Sequence, residues 1–357
     1  TGGLVGNSSG NSIATSYATG GVTGAGIYVG GLVGYSTTPI SSSYATGNVT
    51  NPSSQTGGLV GYSGAAISDA YATGTVTVSG YYSDRTGGLV GNSSGTVTAS
   101  NATGNVTVTS AGTAAYYTGG LIGYSTNTVT DSFATGVVNV AGSSAHSIGG
   151  LIGYVSGGNV LNSYASGSVT GSGAASYYVG GLIGNLNSAT VSDSTYITGA
   201  VSGISYVGGL VGVTNSAAFI KGSYTTRPVT GTYDFVGGLV GKLAGTIQVS
   251  DAAVGSVPVN GTKYSYAAGA VTGRYDVGGL VGRADTTASI NNAYSTGAVT
   301  ADYNYGGLVG FVTPGATLVN AHYNIDAVSI TGFTPASPST RVAVTGLITT
   351  GGLFGTQ

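Results

Sequence analysis

Of 18 charged side chains, 8 Lys or Arg and 10 Asp, ten crowd into one stretch: Lys221, Arg227, Asp234, Lys242, Asp251, Lys263, Arg274, Asp276, Arg283 and Asp285. Asp beside Arg or Lys on one face is equipment for acid/base attack on a polysaccharide, so Asp276 with Arg274 is the candidate pair for glycan cleavage. The bland alternative is an inserted loop with solvated ion pairs, and it is favoured because the chain has no Glu and no matching catalytic motif. The two histidines, His146 and His322, do not help: His146 lies in a Ser/Ala/Gly stretch with no acid beside it. Triad chemistry has no support, and no nucleophile elbow is present. A third pattern is Asp69, Asp131, Asp193 and Asp251, which recur at one place in alternate repeats, with Ala99, Asn162 and Gly222 between them. Stacked directly they would repel, and lone carboxylates two repeats apart cannot gather the six to eight oxygens that calcium takes. No metal, cofactor or catalytic residue is expected.

An aromatic side chain also recurs once per repeat: Tyr17, Tyr44, Tyr71, Phe133, Tyr164, Tyr196, Tyr224, Tyr266 and Tyr294, with Asn101 in the place between Tyr71 and Phe133. Parity along a strand puts Ala18, Gly20 and Val22 on one face and Tyr17 and Thr19 on the other. If Val22 points inward, the aromatics form an outward ladder, whereas a corner between Tyr17 and Val22 would bury them. Two readings stand: core packing or self-stacking, and a face that holds sugars or a partner.

These positions are set by a repeat. Gly2-Gly3-Leu4-Val5-Gly6 returns in close copies that open at Gly30, Gly57, Gly87, Gly119, Gly149, Gly180, Gly208, Gly237, Gly278, Gly306 and Gly351. A period near 30 marks a solenoid. The composition excludes most alternatives: 5% of residues are charged and 68 are Gly, so the long polar side chains of exposed helices are missing. Val, Ile, Thr, Ser, Ala and Tyr suit short strands and turns. Each unit holds three apolar segments, exemplified by Gly30 to Gly34, Ile40, and Ser43-Tyr44-Ala45-Thr46-Gly47 with Val49, separated by Gly, Ser, Asn and Thr clusters. The expectation is an all-β parallel β-helix of about 30 residues and three short strands per coil, in 11 to 12 coils. Residues 1–310 form the array, with a longer ninth unit over 237–277, and residues 311–357 form an irregular terminal coil with a loop at Pro335 and Pro338 and a last strand. The paired glycines, Gly2 with Gly3, Gly30 with Gly31 and Gly57 with Gly58, are expected at tight corners that need positive φ or a backbone approach too close for a Cβ.

A net charge of −2 with eight scattered basic residues argues against nucleic acid. The chain has no Cys, hence no disulfide framework or thiolate metal site, and no apolar run long enough to span a bilayer. It opens inside a repeat without a leader, as a window cut from a longer exported protein would. Sequons at Asn7, Asn48, Asn92, Asn101, Asn105 and Asn260 could accept glycans, although chance matches are the favoured reading in a chain so rich in Asn, Ser and Thr. Thr positions are too mixed with Ser, Ala and Arg for an ice-binding array.

Gly-Gly-Leu-Val-Gly, a polar turn, Ile or Val, then Ser-Tyr-Ala-Thr-Gly before Val-Thr-Gly resembles the GLUG motif over about residues 1–310, with drift at Asn101, at Thr226-Arg227-Pro228 and in the ninth unit. The tail from His322 to Gln357 resembles, more loosely, segments that close such arrays. The resemblance is to repeats of filamentous-haemagglutinin-like exoproteins and other large bacterial surface proteins. It implies a secreted or surface-attached right-handed β-helix, non-enzymatic, serving as adhesin stalk and attachment surface for a host or environmental surface or its glycans. Self-association through strand edges into an extracellular filament or sheath is the alternative, and a polysaccharide-binding or polysaccharide-cleaving β-helix is the second.

Overall fold

The computed structural model describes residues 1–80, 83–109, 115–142, 144–173, 175–248, 263–323 and 330–332. Among them there is no helix. Each coil is made of five short strands, which in the second coil are Val29–Gly30, Val33–Ser36, Ile40–Ser41, Tyr44–Ala45 and Val49–Asn51. Equivalent strands of successive coils pair in parallel, giving four sheets of 11 strands and one of 10, always in coil order. Ten steps of about 4.8 Å make a rod of roughly 50 Å.

The expected three segments become five strands because two of them bend. Gly30-Gly31 breaks the first segment at a corner, and Thr46-Gly47-Asn48 parts Tyr44–Ala45 from Val49–Asn51. Apolar side chains from all five fill the bore: Val29, Leu32, Val33, Ile40, Ala45 and Val49 are buried, and their counterparts stack above them coil after coil. No single coil could bury these residues alone, so the repeat is the stabilising unit. The ladders run on past residue 310 through Val309–Val312, Thr317–Val319, His322–Tyr323 and Ile330–Gly332. The loop at Pro335 and Pro338, the last strand and the copy at Gly351 lie outside the described residues.

Close approach is what the paired glycines supply. A Cβ on Gly30 would stand 2.1 Å from the Val33 carbonyl oxygen, and one on Gly31 would stand 2.1 Å from that of Gly58 in the next coil. Gly2 and Gly57 meet the carbonyls of Val5 and Val60, and Gly3 and Gly58 those of Gly31 and Gly88, at 2.0 to 2.2 Å. Positive φ is not their reason, since none of these six adopts it. The second glycine also faces the alanine row across the bore, Gly31 toward Ala45 and Gly58 toward Ala72, which is why that row is small.

Positive φ recurs instead at two other corners, with single cases such as Ser188 and Gly158 at the turn between the second and third strands. One precedes the serine of Ser-Tyr-Ala: Thr15, Ser42, Asp69, Ala99, Asp131, Asn162 and Asp193 have φ of 46 to 51°. Asp and Asn tolerate the left-handed region better than most side chains, so the acids of alternate coils sit where the backbone suits them. Asp69, Asp131 and Asp193 do stand two coils apart, and Asp251 lies outside the described residues. The serine that follows locks the corner. Hydroxyls of Ser43, Ser100, Ser132, Ser163, Ser194 and Ser223 donate to the carbonyl two residues earlier at 2.7 or 2.8 Å. Each also accepts a backbone N–H from the coil before it at 3.1 or 3.2 Å. A buried polar ladder thereby satisfies its own groups.

Candidate functional site

Tyr44–Ala45 and its counterparts turn their aromatics outward and their alanines into the bore, so the ladder faces solvent and is half-buried by its own members. The rings lie flat on one another: Tyr17 on Tyr44 at 5.2 Å, Tyr44 on Tyr71 at 4.7 Å, Phe133 on Tyr164 at 4.9 Å, Tyr224 on Tyr266 at 4.6 Å and Tyr266 on Tyr294 at 4.8 Å, within 8° of parallel. Parallel rings at the coil spacing spend both faces on each other and leave only rims to solvent. Burial in the stack, with Tyr294 and Tyr224 adding to it, pushes the Tyr266 phenol up to about 12. Asn101 interrupts the ladder between Tyr71 and Phe133.

A second interruption corrects the sequence reading: Thr195, not Tyr196, pairs with Tyr164 and Tyr224 in the ladder. Tyr196 takes the alanine place and lies fully buried, donating its hydroxyl to the Gly167 carbonyl at 2.8 Å with the Ala200 carbonyl at 3.2 Å. Burial raises its pKa. The cause is register: Ser194 keeps its place in the serine ladder, and in Ser194-Thr195-Tyr196 the ring comes two residues after the serine instead of one. That spacing was visible in the sequence.

The larger aromatic face lies at the glycine corner and was not anticipated. The residue two before Gly-Gly is left-handed in nearly every coil: Gln55, Arg85, Tyr117, Ser147, Tyr178, Tyr206, Phe235, Asp276 and Asn304 have φ of 46 to 60°. For an aromatic this backbone is strained. It throws the ring across the next strand, onto the residue that follows Gly-Leu-Val-Gly. Tyr117 thus packs on Tyr124 and Tyr154 at 5.4 and 5.0 Å, tilted by 52° and 58°. Tyr206 meets Tyr178 at 5.0 Å and Phe235 at 4.7 Å, again at 53 to 62°. Beside them run Tyr116, His146 and Tyr177, stacked at 5.4 Å each, and burial holds His146 below the usual imidazole range. The N-terminal part of the face makes similar tilted contacts, Tyr28 over Tyr35 and Tyr62 at 5.1 and 5.9 Å, but from a Tyr28 backbone that is not left-handed. The signal available was Tyr immediately after Gly-Leu-Val-Gly or Gly-Leu-Ile-Gly, at Tyr35, Tyr62, Tyr124 and Tyr154.

At its C-terminal end this face becomes ionic. The Arg283 guanidinium lies 5.3 Å from the centre of Phe235 and 5.1 Å from that of Phe311, contacting Asp285 at 3.1 Å and Asp276 at 3.7 Å. Lys242 reaches Asp285 at 3.0 Å, and the Asn304 amide donates to Asp276 at 2.9 Å. Burial raises the Asp276 carboxyl, outweighing the Asn304 hydrogen bond and Arg283, and Asp234 adds to the rise. The candidate pair is not assembled: Arg274 points to Asp302 at 3.7 Å and lies over Tyr275, while Asp276 turns to Arg283. Lys263 bonds Asp193 at 3.0 Å.

A parallel β-solenoid with side-chain ladders is the class that this fold and these faces define. The family model of the GLUG motif matches residues 25–50, 53–77, 144–170 and 273–300, so the chain carries GLUG repeats. Each matched segment spans one coil, from the corner before Gly-Gly to the valine of the fifth strand. No curated protein and no solved structure matches the chain.

Proposed function

We propose that the chain is a non-enzymatic extracellular repeat rod of a bacterial surface or secreted protein, a stalk whose flank also serves as attachment surface. The observation that carries this reading is the corner face: outward, half-buried aromatic side chains recur along a rod held by an even core, with a break at the coil of Arg85 and Asn92. Exposed aromatic surface of that extent is the usual mark of a binding face. The separate partners of Arg274 and Asp276 support a scaffold over a polysaccharide-cleaving enzyme.

Adsorption of the purified chain to cell monolayers and polysaccharide-coated surfaces tests it, with electron microscopy of the same preparation. Isolated rods of roughly 50 Å that adsorb are expected. Rods that adsorb nowhere would remove the attachment role, and fibres that lengthen with concentration would give self-assembly through strand edges in its place.

A further inference from the structure

The strands at the middle of the corner face carry no charge of their own, though the Arg85 guanidinium of the preceding coil lies 4.9 Å from the centre of the Tyr124 ring. Strands Ala115–Gly119, Ser144–Gly149, Ala175–Gly180 and Ser205–Gly208, with Ile122–Ser125, Ile152–Val155, Ile183–Leu186 and Val211–Thr214 that follow them, contain no Asp, Lys or Arg. Its rings differ from those of the Tyr44 ladder in being tilted by 52 to 62° at Tyr117, Tyr178 and Tyr206, so they are not stacked flat on one another, and Tyr116 beside them is 41% exposed. All three sit on left-handed backbone, a conformation costing of order 1 kcal/mol or more for a bulky residue. Rings kept on that strained backbone in three of the strip's four coils, with Ser147 in the other, are a sign that their position is used.

We propose that this strip, from Tyr116 to Tyr206, binds a neutral polysaccharide laid along the rod axis. The proposal rests on the attachment reading above and names its ligand. A pyranose has an apolar C–H face and a rim of hydroxyls, and Tyr matches both with its apolar ring and polar end. Further rim groups are at hand in His146 and in Asn187, whose amide donates to the Tyr154 hydroxyl at 3.0 Å. A polymer of like units suits a surface that repeats every coil, since each engaged unit raises the effective concentration of the next. The sparse charge selects among polymers. Nucleic acid and acidic polysaccharide need rows of cations, whereas the strip has Arg85, paired with Asp84, at its N-terminal edge and Arg283, paired with Asp276 and Asp285, at its C-terminal edge; a protein partner is ordinarily steered and registered by charges spread around its rim, and here they stand at the two ends alone.

The test is retention of the chain on insoluble cellulose, chitin and β-1,3-glucan, with polygalacturonate-coated beads as the acidic comparison. Asn suits left-handed backbone, so Tyr117→Asn/Tyr178→Asn/Tyr206→Asn removes three rings while keeping the corner. Expected are retention of the wild type on at least one neutral polymer, about tenfold weaker retention of this variant, and retention within about twofold for Tyr44→Ser/Tyr71→Ser in the flat ladder. Titration of the unmodified chain with cellohexaose, followed by Tyr fluorescence in a protein without Trp, gives a reading that no folding defect can disturb. Retention on none of the neutral polymers, a preference for polygalacturonate, or equal retention of the triple variant would overturn the proposal. Cell adsorption that survives the triple variant would remove this ligand and leave the attachment rod standing, whereas failure of the wild type to adsorb at all would remove the rod's role first.

Discussion

Two aromatic rows run along the same rod and behave differently. In the Tyr44 row, rings extend from ordinary strand backbone and settle flat on their neighbours at 4.6 to 5.2 Å. In the Tyr117 row they leave a left-handed corner, cross to another strand and lean on rings of two coils at once. Residue type is the same; backbone conformation decides the use. The flat row is a stabilising stack of ring on ring, and the tilted row is a half-buried mosaic of edge-to-face contacts that leaves an uneven aromatic surface. The rod's C-terminal end shows the corner in a third use, where Asp276 and Asn304 occupy the left-handed place and an ionic cluster replaces the rings.

The largest effect is expected at the corner that makes the tilted row available. A Cβ on Gly120 would stand 2.0 Å from the Gly150 carbonyl oxygen and 3.0 Å from the Ala134 Cβ, whereas one on Gly20 meets nothing within 4 Å. Gly120→Ala must push whole coils apart and should destabilise by more than about 3 kcal/mol, while Gly20→Ala should be near neutral. Denaturant midpoints of the two variants check this, and equal midpoints would mean that the corner is looser than its contacts imply.

Next comes the exception in the flat row. Tyr196→Ala removes a fully buried ring and two hydroxyl contacts, a loss of about 3 kcal/mol or more. Thr195→Tyr added to it restores the ordinary order of ring outside and alanine inside, and should recover roughly 1 kcal/mol through stacking on Tyr164 and Tyr224. Recovery of nothing would break the view that the row is a stack held by its own members. The same view predicts that Asn101→Tyr, which closes the other gap between Tyr71 and Phe133, stabilises by about 0.5 to 1 kcal/mol.

What was legible in the sequence follows from this contrast. Period, strand composition and the close-packed glycines could be read because each is a pattern in residue type along the chain; the outward turn of Tyr44 stayed open, since a corner at Thr46-Gly47 separates it from the Val49 whose parity would have fixed it. The five strands per coil could not be read, since bends at Thr46-Gly47 and Gly30-Gly31 divide segments that look continuous. Tyr196 was misplaced by aligning aromatics instead of serines, although the serine is what the hydrogen bonds hold in register. The corner face escaped because it joins residues seven apart, Tyr117 and Tyr124, and then Tyr154 of the next coil. Nothing in strand parity anticipates a left-handed Tyr, Phe or Arg, so the backbone that brings these rings together had to be seen. For the same reason Arg274 and Asp276 looked like neighbours and are not partners.

The smallest effect concerns the ionic end and has an unusual sign. Asp276 is 6% exposed, and its pKa in the folded chain is raised above the ordinary 3.8 by burial. The folded state therefore holds this proton more tightly than the unfolded state, so this carboxyl's contribution favours folding at low pH. As pH rises from just below about 4 through the raised folded value, that contribution is lost, opposite to the usual acid unfolding of paired carboxylates. Asp276→Asn keeps a side chain that suits the left-handed corner and should flatten the slope of stability against pH in that interval. Denaturant midpoints of wild type and variant between about pH 3.5 and 6 measure it. Unchanged slopes would mean that Arg283 and Asn304 offset the burial in full, making the ionic end a paired surface like any other; a flattened slope would set it apart from the aromatic strip as the part of the same corner whose packing answers to pH.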